Sequence, residues 1–335
     1  MSDMSPAADH GSWDFRYADP NPCRSDHARA SAPPAWRPLG GSVLVILALL
    51  WPRTADAAPS ACPEHFLDGQ APDVINSKLL AKARPLCFSG FAVLHSGVTR
   101  TPLYAAEHLT RARIEAARQL ERADSFHEEA RLPPDERADL SDYARSGYDR
   151  GHMAPAGDMP DPAAMADSFT LANIVPQNPD DNRNLWEAVE SAVRGLALRS
   201  GEVHVITGPL FEGDDLRSLK GRVLVPTRIY KAVYDVKRAQ AGAYLAENAP
   251  GWAWRVVSIA ELNALAGLDL FPSLPASVKQ TAMALPEPRR DGGRGQAAGT
   301  DRESRRSDRM GPLEAALNRA LGRFVRDLLE GRLFR

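Results

Sequence analysis

Apolar and polar positions change period several times along the chain. Residues 86–94, Leu-Cys-Phe-Ser-Gly-Phe-Ala-Val-Leu, predict the first strand of a sheet. Residues 104–130 are alanine-rich and charged, free of Gly and Pro, with Leu109, Ala112, Ala116 and Leu120 at helical spacing; they predict a helix that Pro133-Pro134 closes. Between 140 and 182 regular structure is sparse, punctuated by Gly147, Gly151, Pro155, Gly157, Pro160 and Pro162, as in loops that carry chemistry on a scaffold. A helix over 182–198 follows, with Asp180 or Asp181 as its cap and Trp186, Val189 and Val193 on one face. Strands are predicted at 202–207 running into Gly208-Pro209-Leu210-Phe211, at 223–225, 229–234 and 252–257, and short helices at 258–265 and 274–282. Strands and helices mix without βαβ alternation, so the fold class is α+β.

The two ends read differently. Residues 1–36 are polar and aperiodic. Arg37-Pro38, an apolar run over 39–51 and Ala55-Asp56-Ala57 ahead of Ala58 then have the layout of a secretory signal peptide, with a buried core helix as the alternative. The run is short for a bilayer, and no stable membrane anchor is expected. Residues 286–312 have the Pro, Gly, Arg, Asp and Ser content of a linker. In 313–335, Leu313, Leu317, Leu321, Phe324 and Leu328 stand opposite Arg319, Arg323 and Arg326, predicting an amphipathic helix. That helix would dock on the body or on a second copy, giving a homodimer, or meet a membrane surface or nucleic acid. The expected organisation is leader and signal 1–57, catalytic domain 58–285, linker 286–312 and terminal helix 313–335.

Composition adds limits. Hydrophobic residues make up 44% and charged residues 25%, values of a globular protein that exclude a fibrous or wholly disordered chain. The net charge of −2 hides an acidic body, 29 acids against 24 bases over 59–285, and a basic tail, 8 against 12 over 286–335. A polyanionic ligand would therefore be met by local arginines and a cation, with salt-sensitive affinity. Cleavage after residue 57 would leave Cys62 and Cys87 of three cysteines, a pair suited to one disulfide in an oxidising compartment or else two buried thiols. Neither has a second Cys/His pair at zinc spacing.

Candidate chemistry concentrates in Asp149-Arg150-Gly151-His152-Met153-Ala154-Pro155, Asn173-Ile174-Val175-Pro176-Gln177 and Asn182-Arg183-Asn184-Leu185-Trp186. Phosphodiester hydrolysis needs an activated water, charge compensation on phosphate and help for the leaving oxygen. A neutral His152 could take the proton, Arg150 could offer a forked donor to phosphate, and an asparagine carbonyl suits Mg²⁺, which keeps much of its water. Gly151 would let the backbone approach a ligand, Asp149 would hold the turn, and Trp186 belongs to the core.

These residues, in this order and with Glu190, Thr207-Gly208-Pro209, Tyr230-Lys231 and Phe271-Pro272, resemble the DNA/RNA non-specific endonuclease family over 62–280. The resemblance implies a mainly antiparallel central sheet flanked by helices and a ββα-metal (His-Me) finger. It implies His152 as general base, Asn182 as protein ligand of one Mg²⁺ (Mn²⁺ substituting), Glu190 acting through metal-bound water and Asn173 orienting the site. It further implies DNA and RNA substrates held through the phosphate backbone and 5′-phosphate products. An upstream arginine on the scissile phosphate is expected at Arg122 of Arg122-x-x-x-Phe126-x-x-Glu129, with Arg131 as runner-up; Glu129 stands where the family usually has Asp. Export would make the enzyme periplasmic or secreted. The alternatives are a catalytically inactive module binding nucleic acid or a partner, and a hydrolase of small phosphoesters.

Overall fold

The computed structural model describes residues 61–290. The expected leader, signal peptide and terminal helix, with most of the linker, lie outside the described residues.

Within them a seven-stranded antiparallel sheet organises the chain. Its strands are β1 (Ala83–Cys87), β2 (Ala92–Ser96), β3 (Thr101–Thr110), β6 (Glu202–Leu210), β7 (Arg228–Asp235), β8 (Gln240–Glu247) and β9 (Trp254–Val257), in the spatial order β9-β8-β7-β6-β3-β2-β1. A separate two-stranded ribbon joins β4 (Asp149–His152) to β5 (Ile174–Gln177). The helices are α1 (Arg111–Ala117), α2 (Leu140–Tyr143), α3 (Pro162–Ser168), α4 (Glu187–Ser200), α5 (Ile259–Ala266) and α6 (Ala276–Gln280). The neighbours β3 and β6 at the sheet centre are separated in sequence by residues 111–201, and that single insertion carries α1, the ribbon and α4.

Side chains alternate across each strand, so the sheet faces two cores. Ala105, Leu109, Val203, Val205, Ile229 and Val233 pack under Met153, Val175, Trp186 and the α4 residues Val189 and Val193. Tyr104, Ala106, Ile206, Tyr230 and Ala232 pack on the other side against Phe66, Phe271 and the α5 residues Ile259 and Leu262. The α+β class and the antiparallel sheet are as expected.

Several expected elements differ. The helix over 104–130 is absent: Thr101–Thr110 is a central strand and only Arg111–Ala117 is helical, capped by Thr110 accepting from the Arg113 N–H. A strand buried on both faces carries no alternation to mark it, so Leu109 at its end was read together with Ala112 and Ala116, which do lie in the short helix. The single strand over 86–94 is a hairpin, β1 and β2, turning at Phe88–Phe91. Neither Asp180 nor Asp181 caps the long helix; Asp180 is itself helical in φ and ψ, and buried Asp181 accepts from Gln177. β8 was not anticipated.

Cys62 and Cys87 form a disulfide with Cα atoms 5.9 Å apart, tying the first described residues to β1 across 25 positions. A loop of that length corresponds to about 3 kcal/mol of stabilisation. Reductant, or the double substitution Cys62→Ser/Cys87→Ser, should lower the melting temperature by roughly 5–10 °C; scanning calorimetry in both redox states checks this, and an unchanged transition would contradict it.

Candidate active site

Two short strands and one helix build the site. In the ribbon, Arg150 stands opposite Pro176 and His152 opposite Ile174. Gly151 is required by its cross-strand neighbour: a Cβ there would lie 2.0 Å from Gln177 Oε1 and 2.6 Å from its Cβ. Asn173 is fully buried; its amide donates to Ala154 O (2.8 Å) and Ser168 O (2.9 Å) and its oxygen accepts from the Ala154 N–H (2.9 Å). These bonds fix the chain immediately after His152.

The helix begins with a π turn, Asp181–Trp186, before α4. In a plain α-helix eight residues would leave Glu190 about 80° from Asn182 around the axis. A π turn takes in about one extra residue, which returns Glu190 to within roughly 20° of the direction of Asn182. Asn182 donates through Nδ2 to Asp149 Oδ2 (3.0 Å), and Arg183 grips the same carboxylate through Nε (2.8 Å) and Nη2 (2.7 Å). Asp149 therefore holds the helix start, beyond the turn-holding role expected for it. With its nitrogen committed, Asn182 keeps its carbonyl oxygen for a cation. That hard, oriented oxygen in a polar cleft fits a Mg²⁺ ion better than a softer metal.

A cleft of about 590 Å³ opens beside these groups, lined by Arg122, Phe126, Tyr143, Arg150, Asn182 and Arg183. The Arg150 guanidinium lies 4.0 Å from the Phe126 ring centroid, and Arg122 lies 5.3 Å from that of Phe169 while pairing with Asp124 (2.6 Å). His152 sits behind Phe126, with its ring 5.3 Å from Phe126 and 5.0 Å from Phe169. Its Nε2 is buried without a hydrogen-bond partner. Burial, helped by the charges of Arg122 and Arg150, lowers its pKa to about 3, so the imidazole is neutral.

Glu190 does not line this cleft. It packs toward the sheet, 3.9 Å from Arg194, which also bonds Asp158 (3.1 Å). Burial pushes Glu190 up to about 7, against the pull of Arg194 and Lys231. Beneath it Glu107 is fully buried, 3.5 Å from Arg113, and Lys231 donates to Thr207 (2.7 Å). Burial and the Asp158 charge raise the Glu107 pKa.

Arg131, the runner-up for the phosphate, is elsewhere: it forks onto Glu129 and donates to Cys87 O, stacked 4.4 Å over Phe88. Trp186 is 1% exposed and belongs to the core. Arg194, four residues after Glu190 on a predicted helix, carried a spacing signal that the sequence reading did not use. Tyr143 in the cleft offered no signal beyond residue type, whereas Lys231 stands in the Tyr230-Lys231 segment of the resemblance without an assigned role.

The profile for the DNA/RNA non-specific endonuclease matches residues 72–277. Among characterised proteins, the chain is 36% identical over 198 residues to a mitochondrial nuclease EXOG of Danio rerio, covering 52% of this chain and 57% of that one. It is 31% identical over 241 residues to the Homo sapiens nuclease EXOG, covering 63% and 65%. Nuclease C1 of Cunninghamella echinulata is 32% identical over 207 residues, with 56% and 82% covered. The chain thus spans about three fifths of the length of the EXOG relatives. A solved chain from an EndoG/EndoGI complex superposes with a TM-score of 0.52 at 27% identity, covering 60% of this chain and 90% of that one. With a finger of two strands and a helix inserted at the sheet centre, and a family profile matching across it, the chain belongs to the DNA/RNA non-specific endonuclease family.

Proposed function

We propose that the protein is an exported, metal-dependent endonuclease that hydrolyses phosphodiester bonds of both DNA and RNA. The observation that carries this reading is the convergence of Arg122, Arg150 and Asn182 on one cleft, with His152, whose Nε2 is uncommitted, packed against the Phe126 ring that lines it. In the reaction, a water oxygen bonds to phosphorus, its proton passes to His152, and the P–O3′ bond breaks with its electron pair on O3′, which takes up a proton from solvent water, leaving a 5′-phosphate and a 3′-hydroxyl. Arg150 and Arg122 hold non-bridging phosphate oxygens, contacts that carry little base information and so allow either sugar. A Mg²⁺ ion held by Asn182, or Mn²⁺ in its place, would supply charge compensation for the phosphate and the leaving oxygen. Asp149 keeps the Asn182 amide turned and Asn173 keeps His152 in place, while Glu190, packed against Arg194 outside the cleft lining, could act on the ion only through water. The Cys62–Cys87 disulfide supports an oxidising compartment, periplasmic or secreted, after removal of the signal sequence.

His152→Ala should reduce nicking of supercoiled plasmid and cutting of RNA by at least ~100-fold while circular dichroism stays native, and EDTA should do the same reversibly. Undiminished cutting by the variant would end the assignment, and DNA binding without cleavage by the wild type would point to an inactive module. Asp149→Asn keeps the side-chain shape but loses the charge that holds Asn182 and Arg183; the Mg²⁺ concentration for half-maximal activity should rise by roughly 10–100-fold. An unchanged Mg²⁺ titration would remove Asp149 from the account. Above pH 6.5 His152 is neutral in both states; as the pH falls the unfolded chain takes up a proton that the folded chain refuses. Wild type should therefore lose about 2 kcal/mol relative to His152→Gln between pH 8 and pH 5, measured by urea unfolding; a pH-independent difference would refute the buried neutral imidazole.

A further inference from the structure

On the sheet face turned away from the finger, three metal-ligand side chains meet that the proposed reaction does not use. His108 on β3 and His204 on β6 are directly opposed cross-strand partners, and Glu202, two residues before His204, shares its face. Glu202 Oε1 lies 2.7 Å from His108 Nε2 and 3.9 Å from His204 Nε2, and the donor atoms all fall within 4.8 Å of one another. The His204 side chain is 9% exposed, and neither of its ring nitrogens makes a hydrogen bond among the described residues; Nδ1 is fully buried. Nε2 is the nitrogen that faces Glu202, and on a side chain this enclosed it gains from a ligand that satisfies it.

We propose that His108, Glu202 and His204 form a second metal site, separate from the cleft, that takes a nitrogen-preferring divalent ion such as Zn²⁺. Two imidazoles and one carboxylate are a zinc donor set that leaves a fourth position for water, whereas Mg²⁺ takes oxygen. The two rings stack at 4.5 Å and 4°, so they must splay to share one ion; His108, with 31% of its side chain exposed, has room to turn. The location gives the ion a structural task. Glu202 follows Gly201, the residue that ends α4, and the Gly201 carbonyl accepts from the Arg111 N–H at the start of α1. A metal there would fasten the exit of the finger helix to the neighbouring strand.

The test uses the full chain, stripped of metal and then held in excess Mg²⁺, titrated with ZnCl₂ by calorimetry and by thermal unfolding. Wild type and His152→Ala should each bind one Zn²⁺ that Glu202→Gln and His204→Gln do not. At free Zn²⁺ about a hundredfold above Kd, the melting temperature should rise by roughly 5–10 °C in wild type and His152→Ala alone. Glu202 is 43% exposed, so Glu202→Gln keeps the fold and its Mg²⁺-supported nicking even if the buried His204 variant does not fold. Equal zinc stoichiometry and equal thermal shift in wild type and Glu202→Gln would overturn the site, as would loss of the zinc in His152→Ala.

Discussion

A single carboxylate closes the finger. Asp149 begins the first ribbon strand, yet its two oxygens are taken by groups from the helix start, Asn182 and Arg183. Burial alone would raise its pKa; the bonds from Arg183 and Asn182, with the nearby Arg150, outweigh that and lower it. The stabilisation is present above the ordinary carboxylate pKa and is lost as the pH falls from there through the lowered folded value. Because Arg183 is largely exposed, much of the ion-pair energy is screened. What the pair provides is direction: the forked guanidinium fixes the carboxylate plane, and the carboxylate fixes which end of the Asn182 amide faces the cleft. Strand, helix and candidate metal ligand are therefore set by one joint.

Beneath that joint the sheet sets a second constraint. Alternation along β3, β6 and β7 places Glu107, Thr207 and Lys231 on the face that meets α4. Three acids, Glu107, Asp158 and Glu190, and three bases, Arg113, Arg194 and Lys231, thus share one layer between sheet and helix. Removing Asp158, which Arg194 bonds, would leave a largely buried guanidinium without its nearest acid, far costlier than the net worth of the pair. The same alternation turns His108, the residue after Glu107, and His204, three residues before Thr207, to the opposite face.

Legibility in the sequence followed the same division. The motif residues were readable because Asp149 through His152, Asn173 and Asn182 are polar groups set in or beside a stretch rich in Gly and Pro, where no helical or strand period accounts for them. Their supporting geometry was not. Nothing in residue order announces that Gly151 yields to Gln177, that Asp149 reaches across to Arg183, or that a π turn rotates Glu190 toward Asn182; each is a through-space relation. The α+β class was visible from strand and helix patterns after residue 200. Before it, β3 was hidden, since Tyr104, Ala105 and Ala106 are buried on both faces and carry no alternation. In β8, Gln-Ala-Gly-Ala-Tyr-Leu-Ala-Glu is poor in β-branched residues, and Gly242 is there because Met283 backbone atoms come within 2.9 Å of where a Cβ would sit.

The acidic body raises the question of how the proposed site would hold a polyanion, and the pairing of its arginines answers it. Arg183 is bound in both directions of its fork by Asp149 and is not free to leave. Arg122 pairs with Asp124, both more than half exposed, a link of small worth that a phosphate can exchange. Arg150 has no ion pair among the described residues and rests on the Phe126 ring, a contact compatible with a phosphate on its other edge. Attraction is thus concentrated at one unpaired guanidinium and one weakly paired one. Long-range steering by the whole surface contributes little, and the balance between binding and release is set locally, where added salt acts on it most directly.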